Sequence, residues 1–259
     1  MTNYIKSEVY RNLRSKGNYM FLFGGMGFVI LLNVSLGIYA NGQANFPYGN
    51  TGFSFSSFFT SMLTPMIICL PMVSAIYGQE FKHHTLKNSI SYGIPRNQIY
   101  FGKFLMELVI SLINLIFISG AYIISAYIML ENSGIVYLND LLRAIVACTP
   151  LFLVSMTVAH CLYFTFENET VVGVTWAVII IIVPQLLSIA GRKIVVLEKI
   201  ASLMPANIVT NIIYNQGKGH MIMYWSSQEG LIKCFIVGAI GTLIFYMLGL
   251  LLFKKREIK

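Results

Sequence analysis

Six long apolar runs, separated by short polar stretches, organise this chain of 259 residues: 19–40, 58–78, 104–130, 141–163, 171–189 and 231–253. A helix crosses the hydrocarbon of a bilayer with about 20 apolar residues, and every run is of that order. None alternates with a period of two, and all are too long for a barrel strand. The pattern predicts an all-α polytopic membrane protein with six transmembrane helices. Pro65 and Pro71 fall in the second run and Pro184 in the fifth. A missing backbone donor and a clash with the preceding turn predict kinks there. The third run exceeds what a span needs, so it tilts or extends into water. The boundary between the fourth and fifth runs is only the short stretch around Glu167 and Glu169, and a single re-entrant hairpin is the other reading of that pair.

The stretches between the runs carry weaker periodicity. Within residues 1–18, Ile5, Val9 and Leu13 recur at i, i+4 and i+8, with Lys6, Arg11 and Arg14 elsewhere around the wheel. This predicts an amphipathic helix lying in the inner membrane interface, its basic side chains near anionic lipid. Residues 79–103 are polar but keep Phe81, Leu86 and Ile90, and the pattern stops at Gly93-Ile94-Pro95, a helix-termination signal. A short helix over 80–92 follows, which suits either a solvated interfacial segment or the docking of a cytosolic partner. Residues 41–57 are rich in Gly, Asn, Ser and Phe and read as irregular. In 190–230, Ile194, Leu197, Ala201 and Met204 fit one helical face; Pro205 interrupts, and Ile208, Ile212 and Ile213 fit another. Two short outer helices, interfacial or re-entrant, are predicted before the last span. With no repeat at a fixed period and no low-complexity tract, residues 1–259 read as a single transmembrane domain.

Composition sharpens the class. Hydrophobic residues make up 56% and charged residues 11%, and the mean hydropathy is +0.71. A soluble domain carries roughly 25% charged residues, so a soluble enzyme, a nucleic-acid binder and a disordered protein are all excluded as readings. The net charge of +8 then reports topology. With both termini inside, inner segments hold Lys6, Arg11, Arg14, Lys16, Lys82, Lys87, Arg96, Lys103, Lys254, Lys255, Arg256 and Lys259. Outer segments hold Arg143, Arg192, Lys193, Lys199, Lys218 and Lys233. That two-to-one asymmetry predicts N-in and C-in.

Several chemistries lack their residues. Neither Gly102-Lys103 nor Gly217-Lys218 has a glycine five positions earlier or a Ser or Thr next, so the chain carries no phosphate-cradling P-loop. There is no H-E-x-x-H helix and no G-x-S-x-G elbow, and adjacent His83-His84 point in diverging directions on a helix. Cys69, Cys148, Cys161 and Cys234 lie in or beside apolar runs with no CxxC spacing, as small buried side chains do. No cofactor or metal is expected. Inside the hydrocarbon the ionisable candidates are Glu107 and His160. Glu107, four residues after Lys103, predicts an i, i+4 interfacial salt bridge, and His160 reads as a packed polar residue. An ion-coupled carrier usually needs more than that.

The stretch Gln79-Glu80-Phe81-Lys82-His83-His84-Thr85-Leu86, followed by Gly93, Pro95, Arg96 and Lys103, resembles the inner loop of the permease subunits of type-two ABC exporters. That family's pattern runs E-[FY]-x-x-x-T-[LI], then a small turn, a Pro or Ser, an Arg, and a Lys opening the third span. Glu80, Phe81, Thr85, Leu86, Pro95, Arg96 and Lys103 match it, while His84 stands where a Gly often precedes the Thr. The motif spans about 25 residues, and the six-span plan extends the similarity over nearly the whole chain. The resemblance implies an elbow helix at 1–18, a coupling helix at 80–92 and outer helices before the last span. It also implies two permease subunits, identical or paralogous, working with two separate ATP-binding subunits in a bacterial cell membrane. Glu80, Phe81, Thr85, Leu86, Arg96 and Lys103 would couple to the ATPase, and the second and fifth spans would line the dimer-facing pathway. The cargo it implies is amphipathic or hydrophobic: an antimicrobial peptide, a drug or a lipid-like molecule. The other classes to weigh are an ion-coupled secondary transporter and a membrane-embedded enzyme.

Overall fold

The computed structural model of the chain describes residues 2–43, 46–83, 85–215 and 220–256, with the side chains of 79–86 and 88 among those outside the description. The order begins with α1 (Thr2–Leu13), α2 (Lys16–Gly42), α3 (Thr51–Thr60), α4 (Leu63–His83), α5 (Thr85–Ser91), α6 (Arg96–Met129) and α7 (Ile135–Thr165). It continues with α8 (Glu169–Ala177), a π-helical turn (Val178–Ile182) and α9 (Val183–Gly191), then α10 (Val195–Ala201) and α11 (Pro205–Thr210). A two-stranded antiparallel ribbon, β1 (Ile212–Asn215) and β2 (His220–Met223), precedes α12 (Gln228–Lys255). Five helices or continuous helical segments are long and apolar enough to cross a membrane, and a bent pair, α3 with α4, makes the sixth. The chain is an all-α polytopic membrane protein. Helix α1 and the end of α12 lie at one end of the bundle, the terminal end, because the start of α6 contacts both α1 and the last residues of α12.

Each departure from the sequence pattern has a local cause. The second span begins earlier than residue 58 and bends by 68° between α3 and α4, so part of the irregular 41–57 stretch is helical from Thr51. The bend falls at Ser61, four residues before Pro65, whose ring nitrogen cannot serve the Ser61 carbonyl. The Thr64 N–H takes that carbonyl instead at 2.9 Å. Pro71 stays inside the continuous helix α4. In the fifth span the missing donor of Pro184 is preceded by the π-turn, where the Val183 N–H reaches back five residues to the Val178 carbonyl. The two short helices expected in 190–230 are present as α10 and α11. Ile212 and Ile213, however, leave the helical face for β1, pairing with Met223 and Ile222. The helix had already ended at Thr210, and Ile-Ile-Tyr suits an extended pleat better than a new helical turn.

Helix α7 is the centre of the bundle: 56% of its apolar window is buried, against 11–22% in the other four long spans. Helix α12 approaches it through glycines. A Cβ on Gly238 would lie 2.3 Å from the Pro150 Cβ, and one on Gly249 would lie 2.9 Å from the Cys161 Cα. Without a hydrophobic driving force between helices in lipid, such close backbone contact supplies the dispersion that holds them. Two polar staples add register. Asn33 of α2 donates to the Tyr122 carbonyl at 3.0 Å and to the Ser125 hydroxyl at 2.9 Å, and accepts from Ser54 of α3 at 2.8 Å. At Ser155 of α7, the hydroxyl donates to the Met66 carbonyl and the carbonyl accepts from the Trp176 indole, both at 3.0 Å. Inside hydrocarbon each of these groups would otherwise be unsatisfied.

The glycine contact is testable. Gly238→Ala forces α12 away from Pro150 and should cost about 1–3 kcal/mol, the range for overpacking a well-packed interface. Gly24→Ala, where no atom lies within 4 Å of the new Cβ, should be near neutral. Thermal denaturation of both variants in detergent reads the difference, and equal midpoints would contradict the packing.

Candidate functional site

The first turns of α6 carry a cluster of ionisable groups, and Lys103 and Glu107 among them are buried. At about 100° per residue, Arg96, Tyr100, Lys103 and Glu107 fall within roughly 60° of one another on a single face. The helix is 34 residues long, or about 51 Å at 1.5 Å per residue. That exceeds the roughly 30 Å hydrocarbon thickness and leaves its first turns free to lie at or beyond the membrane boundary. The approach to this face is fixed by chain geometry. Helix α5 ends in a turn where Gly93 adopts a φ of +78°, and the Gly93 and Ile94 N–H groups return to the Ile90 and Ser89 carbonyls. A left-handed residue closing a helix this way favours glycine. Pro95 then caps the start of α6, so only the four residues Tyr92 to Pro95 join α5 to Arg96.

Each group on the face grips a different neighbour. Arg96 sets one guanidinium nitrogen on the Phe253, Lys254 and Arg256 carbonyls at 2.8, 2.7 and 2.7 Å, capping the end of α12. Lys103, 1% exposed, holds Glu8 of α1 at 3.3 Å. Glu107 meets His160 of α7, Oε1 to Nδ1, at 2.8 Å, and both are fully buried. The Tyr77 hydroxyl of α4 lies 2.8 Å from the same Nδ1. The Tyr100 ring packs edge-on against His160 with centroids 4.3 Å apart, and also stacks on Phe253. Among the described residues, the Glu8 carboxylate lies against the opposite charges of both Lys103 and Arg11. In a low-dielectric interior an unpaired carboxylate would be far more costly. The Glu107 Oε2 and the His160 Nε2 have no hydrogen-bond partner among the described residues.

The expected i, i+4 bridge between Lys103 and Glu107 is therefore not how these side chains are used: Lys103 reaches Glu8 of α1 and Glu107 turns to His160. Glu8 was invisible to the amphipathic pattern, which followed Ile5, Val9 and Leu13. Val9 and Leu13 are exposed, at 38% and 63%, and Ile5 is half-buried. The face that docks on the bundle is Tyr4, Glu8, Arg11 and Asn12, at i, i+4, i+7 and i+8. Burial, then the adjacent Glu8 carboxylate, raises the Tyr4 hydroxyl well above the usual phenol range. Its ring fits against α6 because residue 102 is glycine: a Cβ there would sit 2.8 Å from Tyr4 Cε1. Sequence reasoning also passed over Tyr77 and over Arg256, which donates to the Phe164 carbonyl at 2.9 Å and pairs with Glu167 at 3.0 Å. A carboxylate four residues from a tyrosine on the back of a basic helix was the available signal for Glu8.

Within the expected 80–92 stretch, α4 runs to His83 and α5 spans Thr85–Ser91, and His84 between them lies outside the described residues. Gln79 to His83 continue α4 as good helix formers with no breaker among them, and α5 begins at Thr85. Glu80 and Phe81 thus lie in the last turns of α4, not at a helix start, and Thr85 and Leu86 open α5. The side chains of these four, and of the His83-His84 pair, lie outside the described residues.

Among the described residues no group of three or more His, Cys, Asp or Glu is placed to hold a metal ion, and the charged groups are buried against one another. At the far end of the bundle, Ser188, Arg192, Glu198, Asn207, Thr210 and Tyr224 help line an open, polar cleft of about 630 Å³. Asn207 bridges its walls by donating to the Pro184 and Ala201 carbonyls at 3.0 and 2.8 Å.

Lys103→Met should lower stability by roughly 3 kcal/mol, the low end for breaking a buried pair, because Arg11 still faces Glu8. The double variant Glu8→Gln/Lys103→Met should recover part of that loss. Detergent thermal melts of the single and double variants check the coupling, and strict additivity would contradict it.

Comparison with known proteins bears directly on what such a bundle does. Among curated proteins no relative matches the chain. Residues 4–184, from α1 through the start of α9, match the family described as ABC-2 family transporter protein. With well over half its length matched, the chain belongs to the ABC-2 family of transporter membrane proteins.

Proposed function

We propose that this chain is the permease subunit of an ATP-driven exporter in a bacterial cell membrane, with both termini in the cytosol and hydrolysis supplied by separate ABC ATPase subunits. The observation that carries the reading is α5: a seven-residue helix at the terminal end of the bundle, leading directly into the charged start of α6 in a chain of the ABC-2 family. ATPase subunits closing on ATP would displace α5, and hydrolysis would release it, each state favoured by its differential affinity. Two permease subunits would face each other, with the bent α3–α4 span and the α8–α9 span toward the pathway. The exposed apolar and aromatic surface of these spans suits an amphipathic or hydrophobic cargo: an antimicrobial peptide, a drug or a lipid-like molecule. Membrane lipid would cover the rest, including Val9 and Leu13 of α1, which acts as the elbow helix.

The buried Glu107–His160 contact is the one feature that favours an ion-coupled carrier instead. The two readings separate cleanly, since ATP-driven transport survives an uncoupler and stops without the ATPase, whereas a proton-coupled carrier does the reverse.

The purified chain alone should hydrolyse no ATP, as it carries no P-loop, and a copurifying P-loop ATPase should supply the activity. Thr85→Trp, at the first residue of α5, should reduce ATPase copurification or uncouple hydrolysis from transport while leaving membrane insertion unchanged. Pull-down of the tagged chain with its ATPase, followed by phosphate release, measures both. Robust hydrolysis by the lone chain, or wild-type assembly and transport in the Thr85 variant, would contradict the assignment of α5.

A further inference from the structure

We propose that Arg96 and Arg256 form a two-step linkage that makes the end of α12 follow the start of α6, and the end of α7 follow α12, whenever α5 is displaced. The proposal rests on the exporter reading for the source of that displacement, and its geometry stands independently. The last carbonyls of a helix have no intrahelical partner and carry partial negative charge. A guanidinium is a fork of donors that stays charged, so one arginine can hold several such carbonyls at once.

Arg96 does this at the end of α12, within 2.8 Å of three carbonyls, those of Phe253, Lys254 and Arg256, while its guanidinium carbon lies 5.6 Å from the Phe253 ring centroid. The third acceptor is the carbonyl of Arg256 itself. Its side chain continues the linkage to the end of α7, donating to the Phe164 carbonyl at 2.9 Å and pairing with Glu167 at 3.0 Å. Helix α7 is the buried centre of the bundle, so motion delivered there reaches every span packed on it. Because Arg96 is committed to α12, its part in coupling is to position that helix; a docking contact with the ATPase is left to α5.

Spin labels on cysteines replacing Tyr92 and Lys255 test the linkage, with a second pair at Tyr92 and Tyr48 spanning the bundle. Tyr92 is 86% and Tyr48 48% exposed, Lys255 is also exposed, and the four native cysteines are buried. In the chain alone, in lipid nanodiscs, the 92–255 distance distribution should be narrow. It should be at least twofold broader in Arg96→Gln and intermediate in Arg96→Lys. Equal widths would overturn the linkage. In the complex with its ATPase, trapped with ATP by a hydrolysis-deficient ATPase variant, the wild-type 92–255 distance should hold while the 92–48 distance changes. In Arg96→Gln both should change, an outcome that loss of stability alone would not produce. A wild-type 92–255 distance that shifts with nucleotide as far as it does in Arg96→Gln would overturn the linkage and leave the exporter reading standing. No response to nucleotide in either pair would overturn the exporter reading and the transmission with it, while the widths would still show whether Arg96 joins α6 to α12.

Discussion

A charge buried among packed helices must find a counter-charge or a dipole, and that requirement shapes the terminal end of this protein. The start of α6 presents Arg96, Lys103 and Glu107 on one face, and each is satisfied by a different helix: α12, α1 and α7. Among the described residues, the interior elsewhere is apolar or held by neutral hydrogen bonds, as at Asn33 and Ser155. The relative positions of four helices therefore depend on a few charged contacts within three turns of one helix. Breaking such a contact strands a buried charge, so each is worth more to the arrangement than its attraction alone.

The far end is built differently. There the bend at Ser61 and the short elements α10, α11 and the β1–β2 ribbon interrupt regular helix, and the π-turn before Pro184 interrupts the fifth span at its middle. Proline-driven breaks and π-turns are places where a helix can change its hydrogen-bonding pattern at low cost. A bundle tied by charge at one end and articulated at the other is suited to converting displacement near α5 into rearrangement at the far end. That division is the mechanical content of the permease assignment.

Much of this was legible in the sequence because lipid imposes a strong pattern. The run at 231–253 appears as α12 with a few added residues at each end, that at 104–130 appears as α6, which begins earlier at Arg96 and ends at Met129, and the Gly93-Ile94-Pro95 stop falls between α5 and α6. The chemistry-bearing contacts were less legible, for two reasons. Arg96 and Arg256 bind backbone carbonyls, which leave no mark in the identity of the acceptor residue. Glu8 sits on a helix whose apolar spacing drew attention to the opposite face. The π-turn lies in Val-Ile-Ile-Ile-Ile, a stretch with no internal marker, and its cause, Pro184, follows it. The spacing of Arg96, Lys103 and Glu107 on one helical face was open to reading, but their partners depended on the fold.

The central claim is that the start of α6 moves with the ends of α1, α7 and α12 as one body. Structures of the chain with its ATPase, solved nucleotide-free and ATP-bound, address it most directly. The account predicts that the Lys103–Glu8, Glu107–His160 and Arg96–α12 contacts persist in both states while the far ends of the spans separate or approach. Contacts that break and re-form between the two states, with the far ends unmoved, would contradict it.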